Sequence, residues 1–363
     1  MLFKRLSSVL LLLLFLICGV ISIPALAREA GPTASHCQSY NVPVALADGS
    51  PLSYTIYGKL CNPATGPSHT VQVLLAGGTY GSIYWDFPTV GGVPYSYVQA
   101  ANAAGYSTFN MDRIGTGQSS HPDLSVVTVT MYSSAFVVHE IVQDLRQGLA
   151  GNAPFAHVIL AGHSLGSMVA FVEAGTPAYH DVDGIIITGM LHHLNTVKLA
   201  SAVASLYPAS LDPLFAKAGY GVGYVTTTPG ARGTDFYYMA NVDPNVLSED
   251  EATKDTGTLG EFATFLDPLL LGTSSQITVP VLTVIGQQDA IFCGLLVTDC
   301  SSNATLLRAE APFYSSQAQL QALIVPGSGH DLNLQPGHSS SGAAVAPAWF
   351  ASGLAWALRH VAP

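Results

Sequence analysis

Three residues that could do chemistry together stand far apart in this sequence: Ser164, Asp289 and His330. Each follows a run of apolar residues that predicts a buried strand, and the carboxyl ends of parallel strands meet at one edge of a sheet. A serine hydroxyl is a poor nucleophile until a base takes its proton, and the base needs a carboxylate to orient it. The three residues therefore predict acyl transfer, with Ser164 as nucleophile, His330 as base and Asp289 as the orienting acid.

The nucleophile is predicted from Gly162-His163-Ser164-Leu165-Gly166, the one G-x-S-x-G match in the chain. The apolar run 158–161 before it is typical of a parallel strand covered on both faces, and the apolar residues after it predict a helix. Two glycines let strand and helix approach closely enough to hold the serine in a strained turn. The alternative is an ordinary strand-to-helix turn in which Ser164 caps the helix, and the surrounding pattern favours the nucleophile.

The base and the acid both have competitors. Glycines just before His330 free its loop to enter a cleft, and His338 is the reserve candidate. Asp289 ends a late strand and precedes the histidine, which is the order that a G-x-S-x-G nucleophile requires. Asp299 is the alternative acid, and Asp331 is expected to fix its own loop.

A glycine-rich turn, residues 76–81, follows the predicted strand 71–75. Such a turn either reverses the chain or brings backbone N–H groups up against a ligand. Acyl transfer needs two donors for the developing oxyanion, one from this turn and one from the residue after the nucleophile. We expect the oxyanion hole to use the N–H groups of Gly78 and Leu165, with Thr79 as the alternative to Gly78.

Strands and helices alternate through most of the chain, which predicts an α/β fold. Residues 112–119 have glycines spaced as in a phosphate loop but lack its Gly-Lys-Ser/Thr ending, so we expect a structural turn tied by Asp112 and Arg113. The predicted strands are 42–46, 52–57, 71–75, 108–111, 158–161, 182–188, 279–285 and 322–325, and the predicted helices, besides the one after Ser164, are 97–104, 131–149, 304–311 and 344–360.

The alternation stops between residues 190 and 277. This segment is predicted to be a helical insertion over the carboxyl ends of the strands, where a lid or cap would lie above the nucleophile. The residues Ser248 to Glu251 fit a capping box that starts a helix. Its aromatic residues either line an apolar substrate pocket or form a small core of the insertion itself; they are Tyr207, Phe215, Tyr220, Phe236, Tyr237 and Tyr238.

The amino-acid composition limits which kinds of protein and which partners are consistent with this chain. Of 363 residues, 49% are hydrophobic and 10% are charged, so the chain has material for a large core. The formal net charge of −11 argues against nucleic acid and anionic membrane surfaces as partners, and favours a neutral or apolar substrate.

The first residues predict export. A basic start, an apolar middle and Ala25-Leu26-Ala27 indicate a secretory signal peptide, residues 1–27, with an uncleaved membrane anchor as the rival interpretation. No second apolar run is long enough to span a bilayer, so we expect no stable membrane anchor after cleavage. Residues 28–363 are then one secreted domain, extracellular or periplasmic, that carries the insertion.

Four cysteines remain after the predicted cleavage: Cys37, Cys61, Cys293 and Cys300. An even number in an exported chain predicts two disulfides, and of three pairings the local one, Cys37 with Cys61 and Cys293 with Cys300, is favoured. The second bridge would hold the loop after Asp289 still. No metal site is expected, because no C-x-x-C spacing occurs and the adjacent histidines at 192–193 point apart without a carboxylate to complete a site.

The motifs together resemble the α/β-hydrolase superfamily, and within it the cap-bearing esterases and lipases. The resemblance rests on residues 112–117, 162–166, 286–289 and 327–330 in this order, and it covers residues 42–360. It implies a mostly parallel eight-stranded sheet with helices on both faces, an acyl-enzyme on Ser164, and no cofactor. The sequence departs from the resemblance at residues 76–78, where relatives commonly have His-Gly.

The sequence thus predicts an exported serine hydrolase that cleaves a small, apolar carboxylic ester. A peptidase or a thioesterase uses the same machinery and stays open as an alternative. The interpretation from another class is a secreted binding protein that has kept the fold without catalysis. Dehalogenase and epoxide-hydrolase chemistry is disfavoured because each requires an aspartate nucleophile where this chain has Ser164.

Overall fold

The computed structural model describes residues 36–123 and 125–363. The predicted signal peptide lies outside the described residues. The strands are β1 (His36–Val44), β2 (Tyr54–Asn62), β3 (Thr70–Leu75), β4 (Ser107–Met111), β5 (His157–His163), β6 (Gly184–Thr188), β7 (Leu206–Pro208), β8 (Tyr224–Thr227), β9 (Gly257–Thr258), β10 (Val281–Gly286), β11 (Gln321–Val325), β12 (Gly337–His338) and β13 (Ala344–Val345). The helices are α1 (Tyr97–Ala103), α2 (Ser125–Thr128), α3 (Met131–Gln147), α4 (Leu165–Gly175), α5 (Thr196–Ala204), α6 (Arg232–Phe236), α7 (Pro244–Ala252), α8 (Leu259–Ala263), α9 (Asp267–Leu270), α10 (Asn303–Glu310) and α11 (Trp349–His360).

Eight strands form one sheet in the order β1-β2-β4-β3-β5-β6-β10-β11. β2 pairs antiparallel with β1 and β4, and every other pairing in the sheet is parallel. The central strands β3, β5, β6 and β10 are buried along almost their whole length, which is why their sequences are nearly continuous apolar runs. The predicted fold, a mostly parallel eight-stranded α/β sheet, is confirmed.

Helices cover both faces of the sheet and create two cores. On one face, α3 and α4 bury side chains such as Ile141 and Phe171 against the strands. On the other, α1 and α11 contribute an aromatic cluster in which Tyr97 stacks on Trp349 at 5.0 Å between ring centroids. The predicted placement of helices on both faces is therefore confirmed, and the carboxyl ends of the strands are left free for the loops that carry the site.

Two predicted helix starts are wrong. The predicted helix 344–360 begins at Trp349, because Pro347 disfavours helical backbone in the residue before it, and residues 344–345 pair as β13 with β12 instead. The capping box at Ser248 lies inside α7, whose cap is Asp243, followed by Pro244 in the first turn. An Asp-Pro start satisfies the helix N-terminus five residues earlier than the Ser-x-x-Glu pattern suggested.

The segment between β6 and β10 is not purely helical, which corrects the predicted helical insertion. It contains α5 to α9 and also an antiparallel three-stranded sheet, β7-β8-β9. The β-branched residues Val225, Thr226 and Thr227 make up most of the central strand of that sheet and are buried in it. Among the residues that the structure describes, no helix has both the length and the apolar character needed to cross a bilayer.

Both favoured disulfide pairings occur in the structure. Cys37 and Cys61 lie directly opposite each other in the register of β1 and β2, so this bridge joins two paired strands. Cys293 and Cys300 close a short loop after β10. The Cys293 N–H donates to the carbonyl oxygen of Asp289 at 2.8 Å, so the second bridge begins within one turn of the predicted acid.

Candidate active site

Ser164 stands between β5 and α4, in a backbone conformation that L-residues rarely adopt. Its φ is +51° and its ψ is −116°. A Cβ on Gly162 would lie 2.5 Å from the Gly166 carbonyl oxygen, and a Cβ on Gly166 would lie 2.6 Å from the Ala76 carbonyl oxygen. Glycine is therefore required at both positions, because the strand, the helix and the neighbouring turn pack backbone to backbone around the serine.

The structure brings Ser164, His330 and Asp289 together. Ser164 Oγ is 2.9 Å from His330 Nε2, and His330 Nδ1 is 2.8 Å from Asp289 Oδ2. The other oxygen of Asp289 accepts the N–H of Ile291 at 3.0 Å, which fixes the carboxylate. The acid follows β10 and the histidine follows β11, so three strand ends deliver the three side chains to one point, in the geometry that nucleophile activation requires.

The electrostatics of this chain of hydrogen bonds favour a charged histidine. Burial by itself lowers the pKa of His330, but the charge of Asp289 and its hydrogen bond outweigh burial, so the pKa of His330 is raised from its ordinary value. An imidazole that takes a proton from Ser164 is therefore stabilised where it stands.

The competing candidates lie elsewhere. His338 is bonded through Nε2 to Asn241 Oδ1 at 2.7 Å, and Asp299 accepts the N–H of Ser301 at 2.9 Å in an exposed loop. His192 is hydrogen bonded at both ring nitrogens, and one of its partners is a carboxylate, Glu310, at 2.7 Å. The sequence had suggested no carboxylate for this histidine, because Glu310 belongs to α10, more than a hundred residues away.

Three backbone N–H groups beside Ser164 have no acceptor among residues 36–123 and 125–363: those of Gly78, Thr79 and Leu165. All three residues line the cavity next to the serine hydroxyl. Leu165 N–H is also the first of α4, where helical geometry leaves the N–H groups unbonded and the dipole favours negative charge. These donors fit a developing oxyanion, and both Gly78 and Thr79 stay candidates for the donor from the turn.

A family described as "Alpha/beta hydrolase family" matches residues 72–348, more than half of the chain. The chain belongs to the alpha/beta hydrolase family. No curated protein sequence matches it.

Several solved structures of hydrolases share this fold. A soluble variant of monoglyceride lipase from Saccharomyces cerevisiae is 17% identical, with 88% of this chain and 96% of that chain covered and a TM-score of 0.58. An E-2-(acetamidomethylene)succinate hydrolase is 16% identical, with 90% and 100% covered and a TM-score of 0.55. An esterase from Thermogutta terrifontis is 16% identical, with 82% and 93% covered and a TM-score of 0.52. At these identities the likeness establishes the fold alone.

A buried arginine sets the direction of one N–H group in the glycine-rich turn, residues 76–81. Arg113 donates from Nε to the Ala76 carbonyl oxygen at 2.9 Å and from Nη2 to the Gly77 carbonyl oxygen at 3.0 Å. In a trans peptide the N–H points opposite to the C=O. Because Arg113 holds the Gly77 carbonyl, the Gly78 N–H must point the other way, and Gly78 lines the cavity. Residues 112–119 are thus the structural turn that the sequence predicted.

A second buried arginine, which sequence reasoning missed, holds the other end of the turn. Arg232 Nη1 donates to the Thr79 carbonyl oxygen at 3.3 Å, and its guanidinium lies 3.9 Å from the centre of the Tyr80 ring. Asp250 binds the guanidinium at 2.8 and 2.9 Å. Both charged residues come from the segment between β6 and β10, so this segment stabilises the turn that has Thr79 at φ +62°. Arg232 and Asp250 are single charged residues in a segment without a regular hydrophobic pattern, so nothing in the sequence indicated that they are buried and paired.

A second histidine and aspartate lie directly behind the first pair. His163 Nε2 is 3.3 Å from Asp331 Oδ1, and His163 Nδ1 is 3.1 Å from Thr188 Oγ1. The Tyr80 hydroxyl donates to the other oxygen of Asp331. Burial and the charge of His330 lower the pKa of His163 well below its usual value, and burial raises the pKa of Asp331 to about 7. The side chain of Asp331 was expected to fix its own loop, but these contacts join it to His163 of β5 and to Tyr80 of the glycine-rich turn.

An apolar cavity of about 250 Å³ opens beside Ser164. The segment between β6 and β10 supplies most of its wall, and Ile291 closes it from the loop after the acid. Of the aromatic residues predicted for such a pocket, Phe236 lines it; Phe262 and Phe265 also line it and were missed. The apolar wall otherwise consists of Leu199, Ala202, Val203, Leu206 and Leu266.

The other predicted aromatic residues do not line the cavity. Tyr207 donates to Asp212 at 2.5 Å, and Tyr220 stacks on His121 at 3.9 Å between ring centroids. The Tyr207 contact lies within the segment, as the alternative interpretation of its aromatic residues expected. Tyr220 contacts Phe215 and Tyr224 of the segment but also His121, which lies outside it. The prediction that the aromatic residues line the pocket is therefore wrong for five of them: Tyr207, Phe215, Tyr220, Tyr237 and Tyr238.

Proposed function

We propose that this chain hydrolyses carboxylic esters through an acyl-enzyme on Ser164. The proposal rests above all on one observation, the continuous hydrogen-bonded path from Ser164 Oγ through His330 to Asp289 at the edge of an apolar cavity. Unpaired N–H groups next to the serine and membership of the alpha/beta hydrolase family support it.

In the first half-reaction, Ser164 Oγ attacks the ester carbonyl while His330 Nε2 takes the hydroxyl proton. Asp289 orients His330 and stabilises its charged form. Negative charge develops on the carbonyl oxygen, and the N–H groups of Leu165 and of Gly78 or Thr79 stabilise it. His330 then gives its proton to the leaving alcohol, which leaves the acyl group on the serine.

In the second half-reaction, water takes the place of the alcohol. His330 removes a proton from the water as its oxygen attacks the acyl-enzyme, and the same N–H groups stabilise the second oxyanion. Collapse of this intermediate releases the acid and returns the proton to Ser164. Side chains and backbone of this chain carry out every step, so the proposed mechanism uses no cofactor.

The substrate proposed is a small ester with an apolar acyl or alcohol group. A volume of about 250 Å³ is small beside the pockets of about 300–1,000 Å³ that hold drug-sized ligands. We propose that residues 190–277 act as a cap, because their apolar side chains form most of the cavity wall. On p-nitrophenyl esters, kcat/KM is expected to peak between butyrate and octanoate, and a continuous rise to palmitate would contradict the size argument.

Export is part of the proposal. A signal peptide over residues 1–27 and disulfide chemistry at four cysteines both suit an extracellular or periplasmic protein. N-terminal sequencing of the protein from the culture medium or periplasm should begin at Arg28. Closure of a short loop by a disulfide contributes about 2 to 3 kcal/mol in the chain-entropy estimate, so a reducing agent should lower the thermal midpoint, and two free thiols at Cys293 and Cys300 would contradict this.

Labelling separates catalysis from binding without catalysis. A fluorophosphonate is expected to modify Ser164 in the wild-type chain and in His338→Ala, the matched control histidine, and to leave Ser164→Ala unmodified. Folded wild-type protein that forms no adduct would favour a binding protein on the same fold. Amide and thioester analogues of the best ester then test the peptidase and thioesterase alternatives by their relative kcat/KM.

A further inference from the structure

Three ionisable side chains converge at the end of the sheet opposite to the carboxyl edge. His139 comes from the middle of α3, Glu173 from the last turn of α4, and Asp181 from the loop before β6. One nitrogen or oxygen atom from each lies within 4.8 Å of the others. Far separation along the chain explains why the sequence, from which no metal site was expected, did not suggest this cluster.

The cluster leaves buried polar atoms without hydrogen-bond partners. Glu173 is fully buried, and both of its carboxylate oxygens lack a partner among the described residues. Asp181 Oδ1 and His139 Nδ1 also lack one. His139 Nδ1 is 2.7 Å from Asp181 Oδ2, but the two atoms are not aligned for a hydrogen bond. Burial and the adjacent Asp181 carboxyl raise the pKa of Glu173 well above its usual value. Two buried carboxyl groups side by side are costly when both are charged, so either a proton shared between them or a bound cation must stabilise them.

Arg146, whose positive charge acts on Glu173, is already paired with another carboxylate. Arg146 Nη2 is 2.5 Å from Asp183 Oδ2, and its Nε donates to the Asp181 carbonyl oxygen at 2.6 Å. Gln143 Nε2 donates to Asp181 Oδ2 at 2.7 Å, and the His139 ring stacks on Tyr179 at 3.8 Å. These contacts orient two members of the cluster, as outer partners of metal ligands do, and Arg146 acts on Glu173 through its charge without a hydrogen bond to it.

We propose that His139, Glu173 and Asp181 bind a divalent transition-metal ion, with Zn²⁺ the best match. One imidazole nitrogen and two carboxylate oxygens form a three-ligand zinc set with a fourth position for water, whereas Ca²⁺ prefers oxygen ligands alone. Ligand distances of about 2.0–2.2 Å put tetrahedral ligand atoms about 3.3 Å apart. His139 Nδ1 and Asp181 Oδ2 are 2.7 Å apart, and one ligand atom from each of the three residues lies within 4.8 Å of the others, so small side-chain movements reach that spacing. The ion's charge balances both carboxylates.

A cleft at the surface gives an ion access to the cluster. Its volume is about 660 Å³, and it is lined by His139 together with the carboxylates of Asp48, Glu140 and Asp144. The His139 side chain keeps 20% of its surface exposed there, while Asp181 and Glu173 lie behind it. An acidic entrance raises the local concentration of cations.

The ion would connect α3 to α4, the helix that begins beside Ser164. Glu173 is nine residues from Ser164, which is about 13 Å along a helix at about 1.5 Å per residue. The site therefore stabilises the packing of the two helices and does not touch the substrate. We expect metal to change stability far more than it changes ester turnover.

The test measures zinc on the full chain. Protein dialysed against a chelator is given Zn²⁺, desalted and analysed for metal, and its thermal midpoint is measured with and without Zn²⁺. We expect one zinc per wild-type chain and a midpoint raised by about 5 °C at an excess of about 100-fold over Kd. Glu173→Gln and His139→Ala should lose both the uptake and the shift. Asp144→Asn, which removes an acid of the cleft outside the cluster, should keep both.

Two outcomes would overturn the site. Wild-type protein that takes up no zinc, with an unchanged midpoint, would mean that Glu173 is protonated and shares its proton with Asp181. Equal uptake by wild type, Glu173→Gln and His139→Ala would mean that surface histidines bind the metal. The metal response of the wild-type chain, together with near-UV circular dichroism of the variants, keeps the test decisive if one variant folds poorly.

Discussion

Two histidines stand side by side at the carboxyl edge of the sheet, 4.9 Å apart between ring centroids, and each is paired with its own aspartate. His330, which is paired with Asp289, is hydrogen bonded to Ser164. His163, which is paired with Asp331, is buried behind the first pair and does not contact the serine hydroxyl. The residue types are the same in the two pairs. Their surroundings differ, and the surroundings decide which pair is suited to move a proton.

The surroundings shift the pKa values of the two histidines in opposite directions. Asp289 raises the pKa of His330 against the effect of burial, while burial and the nearby His330 lower the pKa of His163 well below its usual value. Burial and the neighbouring Asp250 raise the pKa of Asp331 to about 7. The first pair therefore stabilises an imidazolium, and the second holds a neutral imidazole.

The hydrogen bonds of the second pair agree with a neutral state. The hydroxyl of Thr188 donates to the Gly162 carbonyl oxygen at 3.0 Å, so its oxygen accepts the proton on His163 Nδ1. A neutral His163 then has a lone pair at Nε2, and the proton in the contact with Asp331 comes from the carboxyl group. A protonated Asp331 that donates to His163 and accepts from Tyr80 satisfies all the groups involved.

The two pairs are expected to differ most in how much kcat/KM falls when the histidine of each is replaced. His330→Ala should lower kcat/KM for a p-nitrophenyl ester by about 10⁵- to 10⁶-fold, because the base is lost. His163→Phe keeps a ring against Tyr84 and should lower kcat/KM by less than about tenfold, while Asp331, left with Tyr80 as its side-chain partner, costs about 1–3 kcal/mol of stability. Steady-state kinetics and urea unfolding measure both. Comparable loss of turnover in the two variants would remove the distinction between the pairs.

Asparagine in place of each aspartate gives the next largest difference. Asp289→Asn should lower kcat by about 10⁴-fold, because an amide can no longer stabilise the imidazolium. Asp331→Asn should cost less than about tenfold, since an amide imitates a protonated carboxyl and can still donate to His163. Both variants have the size of the native residue, so circular dichroism serves as the folding control. A loss of about 10⁴-fold in Asp331→Asn would place the second aspartate in the reaction.

Asp331 should also make stability depend on pH. Its pKa in the folded chain is raised to about 7, against about 3.9 in the unfolded chain. Between these values the unfolded chain loses the proton and the folded chain keeps it, so stability is full below about pH 4 and falls up to about pH 7. The wild type should lose roughly 2–4 kcal/mol relative to Asp331→Asn over this window. Parallel unfolding curves for the two proteins, measured with urea from pH 4 to 8, would contradict the raised pKa.

The first pair could be predicted from sequence, and the second could be predicted only in part. Ser164 stands in a glycine pattern with a steric cause, and Asp289 and His330 follow apolar runs whose burial as parallel strands places their ends together. Asp331 was expected only to fix a loop. Its contact with His163 depends on how two loops pack in three dimensions, and no periodicity in the sequence encodes that packing.

The residues of the cavity wall could likewise be predicted from the sequence only in part. Apolar runs predicted the buried strands because burial on both faces demands them, but the segment 190–277 has no single period. Phe262 and Phe265 line the cavity, whereas Tyr220 and Tyr237 were predicted to line it and pack elsewhere. All four are aromatic residues of this one segment, so only their tertiary contacts separate the residues at the cavity from those that pack elsewhere.

The smallest expected effect tests whether the two pairs influence each other. His330 must be neutral to accept the proton of Ser164, so kcat/KM should rise about tenfold per pH unit in acid and level off above the pKa of His330, which lies above its ordinary value. The charge of Asp289 is the main cause of that rise in pKa, and the charge of Asp331 adds to it. Asp331→Asn should therefore move the acid limb to slightly lower pH, by less than about one unit because Asp331 is partly protonated in this range. Residual turnover of Asp289→Asn should show a larger shift in the same direction. An acid limb that stays fixed in Asp331→Asn would mean that the two neighbouring pairs titrate independently.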